Sequence, residues 1–209
     1  MKIIKEKSKK AINEITKAIE KGNVVILSTD TVYGLIADAT SEKTVKKVFE
    51  IKKRQTSKAI PIFVKDIKMA KKIAKIDKNQ ERFLKKFWPG KITVIFKKKE
   101  NCNLPKIIYG DKNTIGIRIP DHKLLNILLN KLKKPLTGTS ANISGKKESI
   151  NINEVLKQFK NQKMKPDLII DAGILKSSKP STILDLSRKK VKISRIGAIS
   201  EKEILKFLK

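Results

Sequence analysis

Pro135-Leu136-Thr137-Gly138-Thr139-Ser140-Ala141-Asn142-Ile143-Ser144-Gly145 sets small residues and hydroxyls after an apolar start and closes on glycine. The run reads as a strand, Leu136 to Thr139, entering a turn. Small side chains let backbone N–H groups approach an anion closely. Lys52 and Arg54, far upstream, offer the positive charge that a phosphate or carboxylate needs. The two pieces read together as part of a nucleotide or anion site, and neither decides the matter alone.

Elements of both periods surround this stretch. Ala11, Ile12, Ile15, Ala18 and Ile19 share a helical face behind a Ser8 cap, and Gly22 stops the helix before a buried strand, Val24 to Ser28. A helix opening at Ser41 carries Val45, Val48 and Phe49 inward, which puts Lys52 and Arg54 at its C-terminal end. A short strand, Pro61 to Val64, precedes helices over Asp66–Lys75 and Asp77–Phe87, then a strand Ile92–Phe96. Lys97 to Lys112 is polar and reads as a loop. Ile115 to Ile119 alternates, with Arg118 on the side of Gly116, and Asp121 is placed to cap an apolar helix, Leu124 to Leu132. The remainder reads as a helix Asn153–Phe159, strands Leu168–Asp171, Ser181–Leu186 and Val191–Arg195, and a last helix opened by a Ser200/Glu203 capping box. Strands and helices interleave without a strict βαβ period. The expectation is therefore α/β, one open, twisted, mixed sheet flanked by helices, in a single domain over residues 1–209.

The chain has 209 residues, with 50 Lys plus Arg against 20 Asp plus Glu, a formal charge of +30. Such a field attracts polyanions, yet most of the excess is Lys in scattered pairs that suit solvated helix faces. One cysteine, Cys102, leaves no internal disulfide or multi-cysteine zinc site. No apolar run reaches the length of a membrane span and no secretory leader is evident, so a soluble cytoplasmic protein is expected.

No metal-ligand spacing, nucleophile elbow or Walker-type glycine loop appears, and the one histidine, His122, sits at a helix start. Nucleophilic and zinc catalysis are disfavoured. The chemistry on offer is cations and hydroxyls at strand ends: Thr29, Thr31, Lys52, Arg54, Arg118, Ser140, Ser181 and Arg195. Thr29 and Thr31 also suit an ordinary turn, and Lys52 and Arg54 a solvated helix end. Arg118 stands among apolar neighbours, where a charge needs a partner. The residues themselves suit an anion or nucleotide site as well as they suit turns and solvated helix ends, and they specify no reaction.

Seven blocks carry a family resemblance: STDTVYGL at 28–35, IKKR with KAIPIFV over 51–64, WPGKITVIF at 88–96, TIGIRIPDH at 114–122, PLTGTSANISG at 135–145, PSTILDLS at 180–187 and ISRIGAIS at 193–200. In this order the chain resembles the threonylcarbamoyl-adenylate synthases of the YrdC-like group over nearly its whole length. The resemblance implies a YrdC-like α/β fold with a concave basic cavity. It also implies a nucleotidyltransferase that converts L-threonine, bicarbonate and ATP to threonylcarbamoyl-AMP and pyrophosphate. Separate partner proteins would then place the threonylcarbamoyl group on adenosine 37 of tRNAs reading codons that begin with A.

The family's Lys-x-Arg and Ser-x-Asn tetrad corresponds here to Lys52, Arg54, Ser140 and Asn142, all intact. The resemblance assigns Thr31, Arg118, Gly138 and Ser181 to L-threonine, with Arg118 on its carboxylate, and Arg54, Lys58, Thr114, Ser140 and Arg195 to ATP. Lys58 replaces an Asn of some relatives and Phe63 a His. Mg²⁺ is expected on the ATP phosphates, with no metal site of the protein's own. The chain looks like the short, single-domain form of the family. Direct tRNA or RNA binding is compatible with the charge, and an RNA-binding paralogue without synthase activity is the alternative. The related carbamoyltransferase of hydrogenase maturation carries cysteine-rich zinc fingers that one cysteine cannot supply.

Overall fold

Helix starts along this chain are written mostly in short side chains. Ser41, Asp66, Asp77, Asn151 and Ser200 each accept a backbone N–H of the helix they open, and Asp77 with Gln80 and Ser200 with Glu203 form capping boxes. The computed structural model describes residues 1–188 and 190–207; Lys189, Leu208 and the C-terminal Lys209 lie outside the described residues. In chain order the elements are β1 (Lys2–Lys5), α1 (Ala11–Glu20), β2 (Val25–Leu27), β3 (Gly34–Ile36), α2 (Glu42–Lys52), β4 (Ile62–Phe63), α3 (Ile67–Ile73), α4 (Lys78–Phe87) and β5 (Ile92–Lys97). They continue with α5 (Lys106–Tyr109), β6 (Thr114–Arg118), α6 (Lys123–Leu132), β7 (Leu136–Thr137), β8 (Thr139–Ser140), α7 (Ile152–Phe159), β9 (Leu168–Asp171), β10 (Thr182–Asp185), β11 (Lys192–Arg195) and α8 (Glu201–Leu205).

The mixed α/β architecture holds, but the strands divide into two sheets where the sequence reads as one. A five-stranded sheet runs β1-β9-β2-β3-β8 and a six-stranded sheet β11-β10-β5-β6-β4-β7. Both mix parallel and antiparallel pairs: β2 runs parallel to β9 and antiparallel to β3, and β5 parallel to β10 and antiparallel to β6. The five-stranded sheet is covered on both faces. Val25 and Leu27 of β2 and Ile170 of β9 pack with Ile15 and Ile19 of α1 and Leu125, Leu128 and Leu129 of α6. Ile26 and Ile169, pointing the other way as strand period requires, join the larger core with Val45, Val48 and Phe49 of α2.

The stretch read as a single strand, Leu136 to Thr139, is where the sheets meet. β7 pairs with β4 in one sheet and β8 with β3 in the other, and Gly138 between them donates its N–H to Pro61 O at 2.8 Å. Gly138 has no room for a side chain, since a Cβ there would lie 3.1 Å from the Phe63 ring.

Other local readings change as well. Ser8 does not cap α1 by its side chain on the first helical turn; Lys10 is the N-cap, and Ser8 instead takes Ala11 N–H on its carbonyl. Asp121 does not cap α6, whose N-cap is His122 with no side-chain capping bond, its Nε2 lying 3.2 Å from Ser28 Oγ instead; the Asp121 N–H is held by Asp30 Oδ2 at 3.1 Å. The segment 97–112 contains α5, opened by Pro105 with Ile108 buried. β1, which the sequence pattern does not mark, is only slightly buried and pairs with β9 from the far end of the sequence.

Candidate functional site

The last residue of α2, Lys52, is held at 3% exposure. Its Nζ donates to Ser140 O at 2.6 Å, Asn142 O at 3.0 Å and Asn142 Oδ1 at 2.6 Å, so three oxygens absorb its three protons. Asn142 Oδ1 also accepts from Ser140 Oγ at 2.7 Å. Burial, and then repulsion from Arg54, pull the Lys52 ammonium down to about 7, with Glu148 acting in the opposite sense. The αL residue Lys53 ends the helix and turns the chain. Arg54 beyond it donates through Nε to Lys58 O at 2.9 Å and through Nη2 to Ala59 O at 2.8 Å, fixing the approach to β4.

Opposite stand Thr31, Arg118, Ser181 and Arg195. Thr29 Oγ1 accepts the N–H groups of Thr31 and Val32 at 3.1 and 3.3 Å, which locks the turn after β2. Arg195 grips Ser181 O from Nε and Nη2 at 3.1 and 2.8 Å, and Ser181 Oγ lies 2.9 Å from Thr93 Oγ1. Thr182 Oγ1 anchors this side by accepting from Gly197 N and Ile199 N and donating to Ile199 O.

Arg118 is 3% exposed. Its Nε donates to Gly90 O at 2.9 Å, Nη1 reaches Thr31 Oγ1 at 3.4 Å, and its guanidinium lies 5.8 Å from the centre of the Phe63 ring. Nη2 lies 2.6 Å from Asp30 Oδ2. That approach is close enough for an ion pair but out of line for a hydrogen bond: Arg118 Nη2 and Asp30 Oδ1 are both buried without a hydrogen-bond partner among the described residues. Burial pulls the guanidinium down, and Asp30 works against that.

A cavity of about 300 Å³ collects Thr31, Lys52, Arg54, Lys58, Arg118, Gly138, Ser140, Asn142, Ser181 and Arg195 in its wall, with Glu148 as a carboxylate among them. Of the residues that the resemblance assigns to substrate or to the tetrad, Thr114 alone stands elsewhere. It lines an adjoining cavity of about 730 Å³ that shares Arg54, Lys58, Pro61, Thr93 and Ile183 with the first. Asp30 and Glu148 carry no sequence signal that marks them for the site. The need of Arg118 for a partner is legible there, but not the identity of that partner.

The family model described as telomere recombination, which groups the Sua5, YciO and YrdC proteins, matches residues 17–197. The chain belongs to the Sua5/YciO/YrdC family. A Methanocaldococcus jannaschii member of similar sequence is 40% identical over 194 residues, which are 93% of this chain and 89% of that protein. The Pyrococcus abyssi threonylcarbamoyl-AMP synthase is 33% identical over 191 residues, 91% of this chain and 55% of its own length. The crystal structure of P. abyssi Sua5 complexed with L-threonine matches with a TM-score of 0.89 at 31% identity, over 99% of this chain and 60% of that one. This chain thus spans a little over half of that Sua5/YciO/YrdC relative and most of the M. jannaschii one.

Proposed function

We propose that this chain is an L-threonylcarbamoyladenylate synthase, a nucleotidyltransferase acting on L-threonine, bicarbonate and ATP. The observation that carries the reading is its likeness, over nearly all its length, to a Sua5 structure complexed with L-threonine. The joining of Lys52, Arg54, Ser140 and Asn142 around one cavity supports it.

In the proposed reaction the threonine amine forms a bond to the carbon of bicarbonate and water leaves, taking up a C–O oxygen and the amine proton, to give a carbamate. A carbamate oxygen then displaces pyrophosphate at the α-phosphorus of ATP. Neither step requires a protein nucleophile. Both require anionic reactants to be held together against their repulsion, which oriented cations in a desolvated cavity achieve. Arg118 with Thr31 and Ser181 would take the amino acid, its carboxylate on the guanidinium. Arg54 and Arg195, with Lys58 and Thr114 toward the adjoining cavity, would take the nucleotide. Lys52 is walled in by oxygens, so its part is to fix the Ser140–Asn142 turn and to lend positive potential.

Mg²⁺ is proposed to arrive on the ATP phosphates. The described residues include no cluster of three or more carboxylate, His or Cys side chains suited to a metal ion, and a lone Glu148 among cations fits an ion brought by phosphate better than one held by protein. We place the whole chain in one functional domain and propose that the product passes to separate tRNA-modifying proteins. Among the described residues no helix is long and apolar enough to cross a membrane.

The test is pyrophosphate release with ATP, Mg²⁺ and bicarbonate, with and without L-threonine. Threonine-dependent release is expected. Its absence from folded protein, together with salt-sensitive RNA binding, would favour the paralogue reading that the +30 charge allows.

A further inference from the structure

Arg118 and Asp30 form a wall between two cavities. Arg118 lines the cavity of the tetrad, whereas Asp30 lines a second cavity, of about 820 Å³, on the far side. Their side chains are 4% and 5% exposed, so each is the principal means by which the other's charge is tolerated out of water. The guanidinium is also fixed independently of Asp30, by Gly90 O and by Thr31, while its Nη2 lies against Asp30 Oδ2 at 2.6 Å. Asp30 in turn is anchored by the Asp121 N–H.

We infer that Asp30 is the resident counter-ion of Arg118, and that it sets the affinity for the substrate carboxylate by sharing the guanidinium with it from the opposite face. This rests on the assignment of Arg118 to the amino acid carboxylate. Two consequences follow from the geometry. Without substrate, Asp30 neutralises a cation that would otherwise be buried alone. With substrate, two carboxylates face one guanidinium, and their repulsion weakens the hold on the amino acid so that it exchanges. Asp30 touches no substrate. It acts through Arg118 and is a positioning residue that lowers affinity in return for a stable empty site.

Removing the charge while keeping the shape tells this role from simple scaffolding. In Asp30→Asn an amide oxygen can still accept the Asp121 N–H, and Arg118 is still held by Gly90, but the competing charge is gone. The expected result by calorimetry is L-threonine binding at least tenfold tighter than to the natural chain, equivalent to about 1.4 kcal/mol. L-threoninamide, which lacks the carboxylate, should bind unchanged. In turnover, KM for threonine should fall while KM for ATP stays the same. Asp30→Glu, which retains the charge, should keep the natural ratio of threonine to threoninamide affinity. A scaffolding role predicts instead that Asp30→Asn weakens both ligands, and that result, or an unchanged ratio, overturns the inference.

If Asp30→Asn does not fold alone, L-threonine should restore its thermal transition where L-threoninamide does not; restoration by neither overturns the inference as well. The natural chain separates the two levels of the argument. If it does not prefer threonine to threoninamide, the assignment of Arg118 fails; if it does and Asp30→Asn leaves the preference as it was, only the role of Asp30 fails.

Discussion

Lys52 Nζ lies 2.6 Å from Asn142 Oδ1, and Ser140 Oγ donates to that same oxygen at 2.7 Å. Among the bonds that join the end of α2 to the turn after β8, this shared acceptor is the one that ties three of the four tetrad side chains into one unit. Arg54, the fourth, lines the same cavity but is held separately, by the carbonyls of Lys58 and Ala59.

Glu148 should tune the pH dependence through Lys52. The Lys52 value of about 7 lies below its ordinary 10.5, so between these two values the unfolded chain binds more protons than the folded one. The contribution of this group to stability therefore rises with pH across that window and is level below it. Activity that depends on the ammonium should fall as pH rises through about 7. Glu148→Gln removes an influence that raises the Lys52 value, so the alkaline limb of the pH–rate profile should move to lower pH. An unmoved limb would separate Lys52 from that limb.

Arg54→Ala removes a cation from the cavity and frees the carbonyls it holds. The catalytic rate should fall by about 10²- to 10³-fold. Arg54→Lys should recover little, because a single ammonium cannot span the Lys58 and Ala59 carbonyls as the guanidinium does. Single-turnover pyrophosphate release with both variants checks this, and circular dichroism checks that they fold.

Gly138→Ala sets a methyl group 3.1 Å from the Phe63 ring, between β7 and β8. We expect a loss of about 1–3 kcal/mol in urea unfolding, as for other overpacked sites. Shrinking the ring in Phe63→Leu should relieve the strain, so the double variant should lose less than the two single losses combined. Strict additivity would mean that the ring is not what Gly138 accommodates.

Thr182→Val deprives Gly197 N and Ile199 N of their shared acceptor in a fully buried position. The two orphaned donors should cost about 2–4 kcal/mol. Arg195 and Ser181 lie on either side of this anchor, so nucleotide affinity should weaken along with stability. Denaturant midpoints and nucleotide titration read the two effects separately.

Much of this molecule is legible wherever the signal is local. Ser41, Asp66, Asp77 and Ser200 announce their helices because a cap and its N–H partner lie within three residues. The residues that meet in the cavity were legible as cations and hydroxyls at element ends, and as a set through resemblance. What escaped depends on distant partners. β1 is defined by β9, from Lys2 with Leu168 onward. α5 is a single turn whose burial comes from tertiary packing. Thr114 lies on the same strand as Arg118 yet opens into the neighbouring cavity. Asp30 sits in a turn with no periodicity to mark it, and its meaning comes from a guanidinium on a strand of the other part of the sequence.

Gly138 is a pivot with a sheet on each side of it, since the residues before it are stitched to β4 and those after it to β3. A ligand gripping Ser140 and Arg118 at once therefore rivets one sheet to the other. Occupancy should be felt far from the cavity, as slower amide exchange in β2 and β5 together, and the protein should come apart in one piece when substrate is bound even if its sheets loosen separately without it.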